Sequence, residues 1–377
     1  MSLPAIVINA YNRPKSLNRL LCSLDQADIV EGVQLVISLE GESDPEVVTL
    51  AENYHWTYGK KRIIRHSSKL GLIQHFLACG DLTEEYECII YLEDDLFVGP
   101  GFYQYSCAVL TEYGGDPSLA GFSLNSLWFN GYLHLPFVPI NDGGLTFFLQ
   151  VPWYQGQVYT YAQWTAFKGW LKNFRSPDSD FPMHHLLKDF KYSDDWFPIK
   201  TQFLIETNKY YCFPRVSHCV NFGDSGTHFK NKSGYFQTEL AQGYLPGPFL
   251  STDRALAVYD SYFEILPEKL KQLNHALEPY DFETDLYGTK DLSLIQKTFV
   301  LTSQLHKHSD DLGFGLEMRP HELNIAYQIS GRHFVMTENK NRKVRNPFLK
   351  QFAYFFRHKL TLKRRIKLTL QNLIRIW

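Results

Sequence analysis

An apolar run, Cys88-Ile89-Ile90-Tyr91-Leu92, stops without a spacer at Glu93-Asp94-Asp95. A short, continuous apolar run of this kind reads as a buried strand, so the carboxylates arrive together at a strand tip rather than along a solvated helix. Like charges crowded into a partly desolvated place repel unless a cation shares them. Hard divalent ions take oxygen ligands, and Mg²⁺ or Mn²⁺ commonly joins one or two carboxylates to substrate phosphates. A solvated acidic turn is the plainer reading of the same residues. The position after an apolar strand favours ion and phosphate, because ligands of open α/β sheets bind beyond the carboxyl ends of the strands.

The chain before this point alternates strand and helix patterns. Residues 4–10 read as a short buried strand, and residues 15–24 as an amphipathic helix with Leu17, Leu20, Leu21 and Leu24 on one face. A second strand over 33–39 ends at Glu40, and Pro45 opens a helix over 46–54. Residues 62–65 form a third strand pattern, 72–79 a helix and 88–92 the fourth strand. Such alternation predicts a mixed, mainly parallel sheet flanked by helices. The polar strand ends, Asn12-Arg13, Glu40 and Glu93-Asp94-Asp95, are then expected to converge on one crevice. Neither a GxGxxG after the first strand nor a GxxxxGK[ST] occurs, which speaks against a dinucleotide-binding Rossmann domain and a P-loop. Pro246-Gly247-Pro248 marks a break, so the expected organisation is an α/β domain over 1–245, an appended α/β region over 246–338 and a tail over 339–377. The appended region carries the strand patterns Phe299-Val300-Leu301 and Phe334-Val335-Met336.

Charge separates that tail from the rest. It holds twelve Lys and Arg and no Asp or Glu, leaving 26 cations against 40 acids before it. Ile366, Leu370, Leu373, Ile374 and Trp377 recur at helical spacing among the cations, the pattern of an amphipathic helix lying on an anionic membrane. The same helix suits packing against the chain's own acidic body or a partner in a homo-oligomer. No nucleic-acid-binding motif accompanies the charge, so nucleic acid is not an expected partner. The start lacks a secretory-signal pattern, no run of about 18 apolar residues occurs, and the six cysteines show no CxxC spacing. These features read as a cytoplasmic protein with reduced thiols, peripheral at the inner face of the membrane. Aromatics at 15% exclude disorder as the main state.

A second acidic pair, Asp194-Asp195, precedes Trp196. A carboxylate near the crevice but off the metal suits removal of a proton from an acceptor hydroxyl; a helix N-cap explains the pair equally well. Rings between 128 and 164, among them Trp153 and Tyr154, suit either core packing or stacking on sugar faces.

Ala5 to Arg13, Leu35 to Glu40, Tyr91 to Phe102 with its Glu-Asp-Asp and Pro-x-Phe, and Ser193-Asp194-Asp195-Trp196 together resemble a GT-A-fold nucleotide-sugar glycosyltransferase. The likeness covers roughly residues 4–230 and is similar to the N-acetylglucosaminyltransferase that starts the complex N-glycan branch and to bacterial family-2-like polysaccharide enzymes. The resemblance implies that Asp95 binds Mn²⁺ or Mg²⁺ bridging a UDP diphosphate, and that Glu93 and Asp94 touch the donor's sugar and ribose. It places Asn12, Arg13 and Glu40 at the uridine end, with Glu40 standing where the eukaryotic relative has Asp. It makes Asp194, or else Asp195, the catalytic base. Phe222-Gly223-Asp224-Ser225-Gly226-Thr227-His228 resembles the family's Phe-Gly-x-x-Gly-x-His segment, bringing His228 near the donor phosphates.

The implied activity is inverting transfer from a UDP-sugar to a glycan or lipid-linked saccharide, as in bacterial surface polysaccharide synthesis. A sugar nucleotidyltransferase also holds metal at acidic strand ends but normally opens with a glycine-rich basic loop, which this start lacks. A catalytically silent nucleotide- or glycan-binding subunit is the alternative from another class. For the tail, the reading predicts that removing residues 340–377 abolishes sedimentation with anionic vesicles and leaves UDP binding intact; unchanged sedimentation overturns it.

Overall fold

The computed structural model describes residues 2–189, 192, 195–224, 234, 236–304 and 312–339. In chain order these form β1 (Ala5–Ala10), α1 (Pro14–Asp25), β2 (Leu35–Leu39), α2 (Pro45–Asn53), β3 (Lys61–Arg65), α3 (Leu72–Asp81), α4 (Thr83–Tyr86), β4 (Cys88–Glu93), β5 (Leu96–Val98) and α5 (Phe102–Tyr113). They continue with β6 (Leu119–Ser123), β7 (Phe129–Asn130), β8 (Leu135–Pro136), β9 (Thr146–Leu149), β10 (Gln157–Thr160), α6 (Tyr161–Leu171), α7 (His185–Lys188), α8 (Trp196–Glu206), β11 (Tyr210–Pro214), β12 (Cys219–Asn221) and β13 (Val258–Tyr259). The last elements are α9 (Pro267–Leu273), β14 (Phe282–Asp285), β15 (Phe299–Thr302), β16 (Gly313–Phe314), α10 (Glu322–Ala326) and β17 (Phe334–Glu338). The chain divides into two compact units. One comprises the described residues to Leu127 with Asn141–Ser261, the other Trp128–Ile140 with the described residues from Tyr262 on.

The first unit is built on a nine-stranded sheet in the order β13-β9-β11-β6-β10-β4-β1-β2-β3. Its half β4-β1-β2-β3 is wholly parallel. β10 runs against both its neighbours, β4 and β6. Ile6, Val7 and Ile8 of β1 and Leu35, Val36 and Ile37 of β2 are all fully buried. Burial at successive positions means that both sheet faces are covered, as a parallel sheet requires. The expected mixed, mainly parallel α/β architecture is therefore the one observed. α1 opens with Pro14 at its first turn and buries Leu17, Leu20, Leu21 and Leu24. α2 is capped by Asp44, whose side chain accepts from Glu46 N at 2.8 Å.

Connectivity sets the position of the crevice. From β1 the chain moves outward through β2 to β3, then returns by α3 to place β4 on the other side of β1. The carboxyl ends of β1 and β4 thus flank a topological switch point, where α/β sheets open a ligand crevice. Asn9 pairs in register with Glu93, so the segment after β1 and the acidic turn after β4 emerge together.

α8 is buried along nearly its whole length, from Trp196 through Leu204. Within it Lys200 is fully buried, its Nζ donating to Tyr211 Oη at 2.9 Å and to Tyr159 Oη. The ammonium also sits 3.9 Å from the Tyr159 ring centroid, with Phe76, Trp164 and Phe167 around it. No carboxylate among the described residues pairs with it, and burial holds its pKa well below the usual lysine value.

The second unit has a four-stranded sheet, β14-β15-β17-β16. β14 and β15 are parallel and β17 runs against β15 and β16. The strand patterns expected around Val300 and Val335 are its central pair. Asp285, buried at the end of β14, accepts from Lys290 N at 2.9 Å, Thr302 Oγ1 at 2.7 Å and Gln304 Nε2 at 2.7 Å, which ties the sheet to the following loop. Desolvation pushes its pKa up to about 6 against those donors. No helix among the described residues is long and apolar enough to cross a membrane, and the basic tail from Lys340 lies outside them.

A buried lysine whose pKa is lowered has a measurable consequence. Between the lowered folded value and the ordinary one, the unfolded chain binds a proton there that the folded chain does not. Stability therefore rises with pH between the folded and unfolded values, by about 1.4 kcal/mol per pH unit for one proton. Urea unfolding as pH approaches the ordinary lysine value, over about pH 8.5 to 10, is expected to show stability rising with pH in the wild type and to lose that rise in Lys200→Met. Equal slopes in the two proteins mean that Lys200 is charged in the fold.

Candidate functional site

At the tip of β4 the chain turns through Asp94-Asp95 into β5. Arg13 reaches this turn from the end of β1. Its NH2 lies 2.5 Å from Asp94 Oδ1 and its NH1 donates to Asp95 Oδ2 at 2.7 Å. The Asp94 contact is one of charge rather than of well-aligned hydrogen bonding, since that oxygen has no partner of hydrogen-bond geometry. Asp94 is anchored on its other side by Tyr11 N, which donates to Oδ2 at 3.3 Å.

The turn carries more negative charge than one guanidinium neutralises. Burial and the neighbouring Asp95 push the Glu93 carboxyl up to about 8, even with Arg13 pulling it down. Burial likewise lifts Asp94 to about 6, with Arg13 opposing. For Arg13, burial acts to lower the pKa, but Asp94, Asp95 and Glu93 outweigh it and raise it. Glu93 Oε1 is buried without a hydrogen-bond partner. An orphaned acceptor beside two further carboxylates fits an added cation. No three His, Cys, Asp or Glu side chains among the described residues form a closed metal cage. A Mg²⁺ or Mn²⁺ site completed by substrate phosphates needs fewer protein ligands, and Asp95, whose side chain is 15% exposed against 3% for Asp94, is open to one.

Glu40 has a different situation. Its Oε1 accepts from Gly41 N at 2.8 Å and Leu70 N at 2.7 Å, and its Oε2 from Gly71 N at 2.9 Å. The carboxylate thus clamps the turn before α3 onto the end of β2. Gly41 is required there, because a Cβ would stand 2.0 Å from the Ser68 carbonyl carbon. Beneath the clamp, Ser38 Oγ bridges His75 Nε2 at 2.8 Å and His66 Nε2 at 3.1 Å. Burial pushes His75 down to about 4, with Glu40 opposing the shift, so its ring is neutral at pH 7. The clamped turn presents Lys69, whose Nζ is 5.1 Å from the centroid of the Tyr11 ring. Asn12 is exposed beside it.

Two later segments return to the turn. β12 pairs antiparallel with β5, Asn221 opposite Leu96, which carries Phe222-Gly223-Asp224 to the acidic turn. Asp224 accepts from Ser16 Oγ at 2.9 Å and pairs with Arg19, whose guanidinium lies 4.0 Å from the Phe222 ring centroid. This segment is thereby fastened to α1. His228 lies outside the described residues, as does Asp194. Asp195 is the N-cap of α8: its Oδ1 accepts from Phe197 N at 2.9 Å and its Oδ2 from Tyr154 Oη at 2.9 Å. Its charge contributes to raising Glu93, so Asp195 and the acidic turn act within one field. Tyr154 stacks on Phe197 at 4.8 Å, and Trp153, with Phe236 near it, donates from Nε1 to Asn125 Oδ1 at 2.9 Å. Of the rings singled out as candidates for sugar stacking, Phe147, Phe148, Tyr159 and Trp164 are core, whereas Tyr154 borders the site.

The structure therefore brings Arg13, Glu93, Asp94 and Asp95 into one cluster, couples Asp195 to it electrostatically, and sets Glu40 to holding a turn. Tyr11 and Lys69 were not legible as site residues. The available signal was an aromatic placed directly between a buried strand and Asn12-Arg13.

No protein-family model and no curated protein matches the chain. Solved structures similar to it include residues 1–349 of S. aureus TarS in complex with UDP-GlcNAc, at 13% identity and TM-score 0.40, covering 60% of this chain and 60% of that one. Another is the mannosyltransferase PcManGT from Pyrobaculum calidifontis in complex with GDP-Man and Mn²⁺, at 10% identity and TM-score 0.33, covering 57% of each chain. A third is GalNAc-T7 with UDP, GalNAc and Mn²⁺, at 12% identity and TM-score 0.39, covering 57% of this chain and 43% of that one. The chain spans about six-tenths of the TarS fragment it matches.

Glu93 ties the site to stability. With its carboxyl raised to about 8, the folded chain holds a proton that the unfolded chain releases above about 4.5, so Glu93 lowers stability progressively as pH rises from 4.5 to 8. Glu93→Gln is expected to remove that loss, making the variant more stable than wild type at pH 8 and nearly equal at pH 4.5 by urea unfolding. A difference independent of pH contradicts this assignment.

Proposed function

We propose that the chain is an inverting, metal-dependent glycosyltransferase of GT-A type that moves a sugar from a UDP-sugar to a glycan or lipid-linked saccharide. The observation that carries this reading is the acidic turn of Glu93, Asp94 and Asp95 with Arg13, set at the β1/β4 switch point of a mainly parallel sheet. Asp95 would hold a divalent ion, Mn²⁺ or Mg²⁺, which would supply charge stabilisation to a departing diphosphate. Arg13, which the resemblance puts at the uridine end, is paired instead with Asp94 and Asp95 and so adds a second cation on the diphosphate side. Tyr11 offers a ring face at the strand end for a flat base, and Lys69 over that face adds a positive charge. Glu40 serves the nucleoside end through the turn it clamps, with Asn12 at the same rim. Glu93 and Asp94 face the ribose and sugar hydroxyls as acceptors.

In the reaction the acceptor hydroxyl oxygen forms a bond to the anomeric carbon as the bond to the UDP β-phosphate oxygen breaks, and the acceptor proton passes to a carboxylate of the Asp194-Asp195 pair. Attack and departure on opposite faces invert the anomeric centre. Tyr154 and the α8 N-terminus hold Asp195 in place for this role, and His228 contributes from the segment following Asp224. The tail, from residue 339, attaches the protein to an anionic membrane at its cytoplasmic face, where a lipid-linked acceptor is found, or joins copies in a homo-oligomer.

The test is a thermal-shift panel of UDP, GDP, CMP and dTDP, each with and without Mn²⁺, since a selective ligand raises apparent stability by mass action. A Mn²⁺-dependent shift with UDP is expected, lost in Asp95→Ala. Asp194→Asn and Asp195→Asn should keep that shift, and the variant lacking the base should lose turnover by about 10²–10⁴-fold. Full turnover in both, or a shift that persists in Asp95→Ala, overturns the assignment.

A further inference from the structure

Arg13 stands where a metal ion would have to bind. Its guanidinium engages Asp94 and Asp95 at once, at 2.5 and 2.7 Å. A guanidinium and a divalent cation compete for the same oxygens, and close approach of two positive charges is unfavourable in a partly buried turn. The surroundings allow an exchange. Arg13 is the N-cap residue of α1 and makes no side-chain capping bond, so the two carboxylates are the fastening seen for its side chain. The side chain is 27% exposed, which leaves a path outward, whereas Asp94 at 3% is fixed from behind by Tyr11 N.

Resting on the glycosyltransferase reading, we propose that Arg13 is a displaceable counter-cation: it neutralises the acidic turn in the absence of ligand, yields Asp95 to the incoming ion, and then binds the donor diphosphate. Metal and nucleotide binding are thereby coupled through one side chain. Either ligand alone meets an occupied or unpaired partner, while the two together satisfy both the carboxylates and the guanidinium. Coupling of this kind is reciprocal, so UDP strengthens metal binding by the same factor as metal strengthens UDP binding. The arginine also gives the ligand-free turn a partner for charges that would otherwise repel.

Mn²⁺ itself is the probe, since its free form is read directly by electron paramagnetic resonance without any turnover. The full chain is titrated with Mn²⁺ alone and with saturating UDP, as wild type, Arg13→Gln, Arg13→Lys and Asp95→Asn. Removing the competing cation is expected to tighten Mn²⁺ binding without UDP by about tenfold in Arg13→Gln. The same variant should lose most of the strengthening that UDP gives the wild type. Arg13→Lys, which keeps a charge but not the two-pronged contact, should fall between. Unchanged or weaker Mn²⁺ binding in Arg13→Gln, with UDP-assisted binding intact in the wild type, overturns the exchange alone. Wild type that binds UDP equally with and without Mn²⁺, and is indifferent to Asp95→Asn, overturns the metal-dependent reading on which the exchange rests.

Discussion

Three carboxylates meeting one guanidinium at the mouth of a parallel sheet are the constraint around which this unit is arranged. Glu93, Asp94 and Asp95 are held at the tip of β4, where both the preceding strand and the following one are buried, so they cannot separate into solvent. Arg13 must then come from the neighbouring strand, and the parallel register of β1 with β4 delivers it there. The fold's connectivity, outward to β3 and back to β4, is what leaves room between those two strand ends. Chemistry and topology thus impose the same location.

Around that point the fastening is of two kinds. Glu40 holds its turn through three backbone amides in a buried place, and Gly41 lets the two backbones touch. Bonds from amides to a buried carboxylate are costly to leave unmade, so this turn is a fixed part. At the rim, Arg19 and Asp224, with side chains 25% and 22% exposed, form an ion pair that ties the segment after β12 to α1. Being nearer solvent than the Glu40 clamp, it is the more strongly screened by salt.

β1, β2 and β4 were legible because they are continuous apolar runs, and α1 and α2 because Pro14 and Pro45 stand at their starts, signals that need no long-range information. The acidic turn was legible for the same reason: β4 is buried up to the residue before Glu93. Other features depend on partners distant in sequence. Nothing local announces that residues 128–140 group with the unit that resumes at Tyr262, or that β10 enters the sheet against β4 and β6. Glu40 illustrates the limit within the site. An acid after the second strand is visible in the sequence, but its use is decided by the amides of Leu70 and Gly71, thirty residues on. Lys200 is the reverse case, a residue whose type suggests a surface and whose place among Tyr159, Tyr211 and Trp164 is set by the packing of α8.

That buried lysine bears on the site through the helix that holds it. α8 begins at Asp195 and is gripped along its length by aromatic rings, with Trp196 stacked on Phe76 at 4.5 Å and Tyr154 bonded to the capping carboxylate. A helix fixed at that many points does not translate relative to the sheet without breaking the core. Asp195 is consequently a positioned group, set against Glu93 by packing rather than by a loop that must close. At the acidic turn the Arg13 side chain is 27% exposed, whereas the Asp94 side chain behind it is 3% exposed. A partly buried cluster of three carboxylates sharing one guanidinium favours a group that brings positive charge over one that does not.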